Sequence, residues 1–378
     1  MKIKKVLLTN HFFFTKSGSV HGPANVICEY FRKRKKQYIL LNYPLISGRR
    51  PFYERYNGRK VFYKNFGINA TLPLPVKSFF EIINSIIVGI FFRPDIYIGV
   101  DPLNAVAGLF LKSLGFVKKT IFYSVDYTPT RFENSLLNSA YQRIDRISAR
   151  FSDEVWNVST RIVKLRVRQK VKGEKIKFLP NSPNFGACPR LPISRIDKNK
   201  IVMVTGLTHS PVFSLVLESF EKVSRKNPKL TMNIIGTGEY EGDLKMIVRS
   251  MGLSSRIKFL GQLENSRVLS EIAKCRLGLA LYPFSKRFSW IYYGDSKKTR
   301  EYLACGVPVV MNDVVATSED VKRYGAGLVV KLRYEDISAA IKKLSINDSF
   351  WVSCRKKAID LARDYDFEKT LDSLLQVN

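Results

Sequence analysis

Asp295-Ser296-Lys297-Lys298-Thr299-Arg300-Glu301-Tyr302-Leu303-Ala304-Cys305-Gly306-Val307-Pro308-Val309-Val310 reads as a polar loop, a short helix and a buried strand. Lys298, Glu301, Tyr302 and Ala304 open a helix that Gly306 closes; Pro308 keeps it from continuing, and Val309 and Val310 begin a strand. A helix N-terminus with free amides beside Ser296, Lys297 and Lys298 is a ready anion site. Glu301, one turn further in, can accept hydrogen bonds from a pair of hydroxyls. Phosphate at one end and a diol at the other describe a nucleoside-diphosphate ligand. Taken alone, the stretch also fits an ordinary α/β connection with solvated lysines.

Working outward, 378 residues favour two domains, and a hydrophobic fraction of 45% gives them a core. Cys28, Cys188, Cys275, Cys305 and Cys354 are scattered without paired spacing. That argues against a disulfide framework or a zinc site and fits a reducing compartment. The N-terminus, Met1 to Leu8, has too few apolar residues for a signal peptide and reads as a first strand. The net charge of +31 is uneven: residues 1–190 carry 33 Lys/Arg against 11 Asp/Glu, and residues 191–378 carry 30 against 21. The first half therefore meets something anionic: a membrane surface, a phosphorylated substrate or nucleic acid.

In that half, Val6 to Thr9 is a strand, and the loop from His11 to His21 holds Lys16-Ser17-Gly18-Ser19. Pro23 opens a helix with an apolar stripe of Val26, Ile27, Tyr30 and Phe31, which ends in the basic run Arg32 to Lys36. Ile39 to Leu41 is the next strand, so the order is that of a doubly wound unit. Residues 78–92 are almost wholly apolar, but Ser78, Glu81 and Ser85 share one helical face. The segment is short for a span of ~20 residues, so a mostly buried helix is the expectation, with a helix in the membrane interface as the sharper option. Ile96 to Val100 and Thr120 to Val125 read as buried strands, the second ending on Asp126. Ligands of open α/β sheets sit beyond the carboxyl ends of strands, which makes Asp126 a candidate general base. The alternative is a loop aspartate capping the next turn. The helix from about Leu136 to Phe151 gathers Arg143, Arg146 and Arg150 on one side, and a basic segment from Arg161 to Lys172 follows.

Pro180 to Asn199, rich in Pro, Asn and Ser, reads as the interdomain stretch, with the linker between the domains set at 186–200. The expected division is an N-terminal domain over 1–185, a C-terminal domain over 201–350, and a helical segment over 351–378 packing back on the first domain. A second strand–loop–helix unit starts at Ile201 and runs through Gly206-Leu207-Thr208-His209. Later strands end on Gly236-Thr237-Gly238, Gly261 and Pro283. Strands ending on glycine leave backbone room for a ligand at one sheet edge. Gly236 and Gly238 lack the third glycine of a dinucleotide fingerprint. The fold class is α/β: two Rossmann-like, doubly wound domains facing a cleft, with a C-terminal helix crossing back.

The run Lys298-x-x-Glu301-Tyr302-x-Ala304-x-Gly306-x-Pro308-Val309-Val310 is similar to the donor-binding signature of family 4 glycosyltransferases of the GT-B fold. Gly206, Gly236-Thr237-Gly238, Gly261 and Pro180-Asn181 fall in the order that signature requires, and the resemblance spans most of residues 90–345. The family's first acidic residue falls on Tyr293, and its arginine after the first glycine of the second domain is replaced by Leu207-Thr208-His209. Tyr123-Ser124-Val125-Asp126 resembles instead the xanthan-type membrane-associated glucuronosyltransferases, inverting enzymes with an aspartate base there. Retention and inversion therefore both stay open.

The resemblance implies that Glu301 holds the donor ribose, while Ser296, Lys297 and Lys298 meet the diphosphate and Thr208 or His209 approaches it. Asp126 would deprotonate the acceptor. Lys16, Arg131, Arg143, Arg146 and Arg150 are assigned to the acceptor or membrane side. No cofactor or metal is implied, because the basic loop and helix dipole stand in its place. The expected protein is thus a cytoplasmic transferase, peripheral on the inner face of the membrane. It would take a nucleotide sugar to a glycan or lipid-linked acceptor in cell-surface polysaccharide or glycolipid assembly. Two alternatives are a nucleotide-sugar epimerase on the same fold and a basic nucleic-acid-binding protein. The second lacks any recognised nucleic-acid module, so nucleic acid is not an expected partner.

Overall fold

A computed structural model describes residues 3–12, 14–15, 18–19, 22–45, 50–66, 72–283 and 289–375. It resolves the chain into two compact units, residues 1–179 with 371–378, and residues 180–370. Lys16 lies outside the described residues.

The first unit begins with β1 (Lys5–Phe12), a ribbon of β2 (Phe14–Thr15) and β3 (Gly18–Ser19), α1 (Pro23–Lys33) and β4 (Gln37–Pro44). A hairpin of β5 (Phe52–Tyr56) and β6 (Val61–Asn65) leads to α2 (Leu74–Phe92). Then alternate β7 (Ile96–Val100), α3 (Pro102–Ser113), β8 (Lys119–Ser124), α4 (Ser135–Phe151), β9 (Glu154–Asn157), α5 (Thr160–Arg168) and β10 (Ile176–Phe178). The sheet order is β10-β9-β8-β7-β1-β4-β5-β6, parallel from β10 to β4 and antiparallel over the hairpin. Helices cover both faces of its centre, so Val6 to Leu8 and all of β7 are buried, as continuous apolar runs require. Strand order reverses at β1 and β7.

The second unit runs β11 (Asp197–Val204), α6 (Val212–Lys226), β12 (Thr231–Ile235), α7 (Glu241–Ser250), β13 (Ile257–Phe259) and α8 (Asn265–Ala273). It continues with β14 (Cys275–Ala280), α9 (Ser289–Tyr293), α10 (Lys297–Ala304), β15 (Val309–Asn312), α11 (Thr317–Tyr324) and β16 (Gly327–Val330). Two helices end it, α12 (Tyr334–Ile346) and α13 (Asp348–Asp364), and α14 (Phe367–Leu375) spans the boundary at Thr370. The sheet is fully parallel, β13-β12-β11-β14-β15-β16, and reverses between β11 and β14.

Three expectations change. First, the division falls between Leu179 and Pro180, not in 186–200. Residues 181–185 are pinned to the second unit: Asn181 N donates to Asp295 Oδ2 at 2.8 Å and Phe185 N to Asp366 Oδ2 at 2.7 Å. Second, the segment after 350 is two helices, because Asp366 ends one and caps the next, accepting from Lys369 N at 2.8 Å. Only from Leu371 onward does the chain cluster with the first unit, where Asp372 accepts from Tyr30 at 2.8 Å and from Arg34 at 2.6 Å. Third, α2 is not a mostly buried helix. Its packed face is the polar one, Ser78, Glu81 and Ser85, continued by Gly89 and Phe92. Phe79 is 60% exposed, Phe80 56% and Phe91 85%. The polar face turns inward because it has partners there: Ser85 Oγ lies 2.8 Å from Tyr43 Oη, and Asn84 donates to the same phenol at 2.9 Å.

Candidate active site

The opening stretch builds the second unit's carboxyl edge. Ser296 is the N-cap of α10, accepting from Thr299 N at 3.2 Å, and its hydroxyl also bonds Thr299 Oγ1 at 2.7 Å and the Tyr282 hydroxyl. Ser296 is buried, so it shapes the helix start and presents no free hydroxyl to a diphosphate; that expectation is corrected. Six of the eight residues of α10 are buried, including Arg300 and Glu301. Arg300 is neutralised from two sides, 2.9 Å from Asp295 Oδ1 and 2.7 Å from Asp320 Oδ2. Asp295 also accepts from Thr317 Oγ1 at 2.6 Å. This network, anchored to Asn181, fixes where α10 begins.

Tyr302 ties α10 to the sheet reversal, because its hydroxyl accepts from Val204 N of β11 at 2.6 Å and lies 3.4 Å from Leu279 O of β14. Gly278 of β14 leaves room for that ring, since a Cβ there would lie 2.6 Å from it. Glu301, the neighbouring residue, is thereby held beside the crevice where parallel sheets take ligands. It is 5% exposed, and its Oε1 has no hydrogen-bond partner. Lys297 Nζ stands 3.8 Å away, past hydrogen-bond reach. Burial pushes the Glu301 carboxyl up, against the pull of Lys297 and Lys298. Burial likewise pushes the Lys298 ammonium down to about 8, against the attraction of Glu301. Lys298 Nζ lies 5.6 Å from the centre of the Tyr282 ring. A buried acceptor and an under-compensated cation, side by side, suit a ligand carrying hydroxyls and negative charge.

The glycine turns complete this edge. Gly236 has φ 133°, and a Cβ there would lie 1.9 Å from Thr205 O; one on Gly238 would lie 2.1 Å from Leu207 O. The loops after β11 and β12 are thus pressed backbone to backbone. Leu207 N donates to Thr237 O at 3.1 Å, and Tyr240 N to Leu207 O at 2.9 Å. Gly206, Thr208 and His209 stay exposed above them, with the His209 ring 4.6 Å from that of Tyr240. Tyr293, in the place of the expected acid, ends the short helix α9 and is half-buried.

In the first unit, Asp126 lies two residues past β8, and its Oδ2 accepts from Arg131 Nη1 at 2.8 Å. Arg131 also sits over the Tyr141 ring, 5.5 Å from its centre. Arg143, Arg146 and Arg150 are exposed on α4. The basic segment after Arg161 is helix α5, where Arg166 turns inward to pair with Asp145 and to reach Ser124 Oγ at 2.9 Å. Sequence reasoning did not bring together His11, Glu81 and Asp101, which form an ion cluster at the carboxyl ends of β1 and β7. Their signal was available: His11 and Asp101 stand at strand ends, as Asp126 does. Among the described residues, no three His, Cys, Asp or Glu side chains are grouped to hold a metal.

Residues 192–361 match the family described as glycosyl transferases group 1. The chain has the GT-B fold, and its second unit carries the match to this family. Solved structures share the fold along the chain's length. The Anabaena protein HepE in complex with UDP is 14% identical, with 99% of this chain and 98% of that one covered and a TM-score of 0.67. Sucrose-phosphate synthase from Thermosynechococcus elongatus is 13% identical over 99% and 98%, with a TM-score of 0.70. An E. coli structure named for trehalose-6-phosphate and bound with UDP-2-fluoro glucose is 11% identical over 99% and 98%, with a TM-score of 0.65. No curated protein matches the chain in sequence.

Proposed function

We propose that the chain is a glycosyltransferase that takes a sugar from a uridine-diphosphate donor to a lipid-linked glycan at the cytoplasmic face of an anionic membrane, in cell-surface polysaccharide or glycolipid synthesis. The observation that carries the membrane reading is α2. Among the described residues it alone is long and apolar enough to span a bilayer, at mean hydropathy 1.6, yet it is a crossover helix of a sheet with 22% of that window buried. A helix so placed lies along its unit, polar face in, and offers Phe79, Phe80, Ile87 and Phe91 outward. Each such side chain gains about 1.5–3 kcal/mol on full burial, and each nearby Lys/Arg about 1 kcal/mol at an anionic surface. The uridine reading is supported by the UDP ligands of HepE and the E. coli structure.

In this reading Glu301 takes the ribose hydroxyls, and Lys297, Lys298 and the amino end of α10 offset the diphosphate charge without a metal. Asp126, oriented by Arg131, accepts the proton of the acceptor hydroxyl. The acceptor oxygen then bonds to the anomeric carbon as the bond to the diphosphate breaks, which inverts that carbon. Asp126→Asn is expected to abolish transfer and keep UDP binding; turnover by this variant would make Asp126 structural. For the membrane, Phe79→Ser/Phe80→Ser/Phe91→Ser should lose most sedimentation with anionic vesicles while UDP still stabilises it. Equal, weak binding of the native chain to anionic and neutral vesicles would remove the membrane reading.

A further inference from the structure

The first unit carries a polar cluster that neither the donor site nor Asp126 uses. His11 stands near the end of β1 and Asp101 directly after β7, the strands between which sheet order reverses. His11 Nδ1 lies 2.5 Å from Asp101 Oδ2, and its Nε2 lies 3.0 Å from Glu81 Oε2 on α2. Asn104 Nδ2 donates to the same Asp101 oxygen at 2.8 Å, and Asn104 N to Asp101 Oδ1 at 3.0 Å. Asp101 holds these bonds at φ 82°, a left-handed conformation that costs a non-glycine residue on the order of 1–3 kcal/mol. Strain kept at the reversal point of a sheet is expected of a site more than of a plain turn.

The cluster is also incomplete. Glu81 is 7% exposed, and its Oε1 is buried without a hydrogen-bond partner. Lys77 Nζ stands 3.8 Å from that oxygen and donates instead to the Pro44 carbonyl. One turn before Glu81 on α2, the buried Ser78 Oγ also lacks a partner. An open carboxylate acceptor and an open hydroxyl on one face of α2 together match a ligand with hydroxyl groups, which both give and take hydrogen bonds.

We propose that this cluster is a sugar-hydroxyl subsite for the acceptor, in which Glu81 Oε1 accepts a hydrogen bond from an acceptor hydroxyl and His11, held by Asp101, keeps the carboxylate in place. The proposal rests on the acceptor being a glycan. Glu81 touches the substrate; His11 and Asp101 are positioning residues. Glu81→Gln separates binding from architecture. The amide keeps an oxygen for His11 but turns a donor to the place where the carboxylate offered an acceptor.

The test is histidine-selective NMR on the full chain, titrated with the methyl glycosides of glucose, galactose and mannose. The chain has three histidines, so His11→Gln assigns the His11 signals by their loss. At least one glycoside is expected to shift those signals, and Glu81→Gln to weaken that glycoside about tenfold or more, as loss of one charge-assisted hydrogen bond does. UDP binding of Glu81→Gln should stay near native, which shows that the variant is folded. If no glycoside moves the His11 signals, or Glu81→Gln responds as the native chain does, the cluster is a clamp for α2 and the proposal falls. Vesicle sedimentation and UDP binding are read separately, so failure of the membrane or donor reading is distinguishable from failure here.

Discussion

The two sheets each bury a cation at the carboxyl edge, and the two cations are held in opposite ways. For His11, burial acts to lower the imidazolium, but Asp101 and Glu81 on its two sides outweigh it and lift the value from 6.5 to about 10. For Lys298, burial wins over the single attraction of Glu301, and the value falls from 10.5 to about 8. The first charge is closed within its own unit. The second is short of negative charge, as a site for a diphosphate should be. Each cluster holds a buried glutamate with one unpartnered oxygen, Glu81 Oε1 and Glu301 Oε1, so polarity alone does not separate them. What separates them is whether the cation already has its anions.

Removing each cation breaks the comparison most directly. His11→Ala leaves Asp101 and Glu81 as close, largely buried carboxylates, so a loss of about 3–5 kcal/mol is expected in urea unfolding at neutral pH. Lys298→Met removes a charge that folding already disfavours, so its stability should be native or higher. Equal losses in the two variants would show that Lys298 is as fully compensated as His11.

Ligand binding gives the next largest contrast. Glu301→Gln leaves its helix in place, because α10 is held by Ser296, Arg300 and Tyr302. It should weaken UDP by about 10–100-fold in calorimetry, as expected when a buried carboxylate no longer accepts from a diol. His11→Gln should leave UDP affinity unchanged. A Glu301→Gln protein that binds UDP like the native chain would reassign the orphan oxygen.

Much of the second unit's edge was legible in sequence, because its determinants are contiguous or punctuated by glycine. The helix from Lys297, its end at Gly306 and the turns at Gly236 and Gly238 all follow from local rules. The role of Ser296 was misjudged: its cap is local, but the burial that uses up its hydroxyl depends on Tyr282 and Thr299 together. In the first unit, Glu81, His11 and Asp101 lie 70 and 90 positions apart, which no short pattern can join. The orientation of α2 was illegible for a related reason. Hydropathy favours burying its phenylalanines, and only the partners Tyr43 and His11 decide that Glu81 and Ser85 go inward.

The finest test of the comparison is its dependence on pH. His11 has a raised folded value, so its stabilisation is complete below about 6.5 and is lost as pH rises through about 10. The groups facing it are Asp101, Glu81, Asn104 and the Tyr43 ring, and the gap between native and His11→Gln stability should close over that window. Lys298 has a lowered folded value, so its charge opposes folding below about 8, and that penalty disappears as pH rises towards 10.5. Glu301 and the Tyr282 ring face it. Binding of an anion should return the proton to Lys298, so UDP affinity is expected to fall by up to about tenfold per pH unit above about 8. In Lys298→Met this slope should vanish while the affinity near pH 7 is already reduced. A slope that survives in Lys298→Met would move the titrating cation to another residue, with Lys297 the first to test.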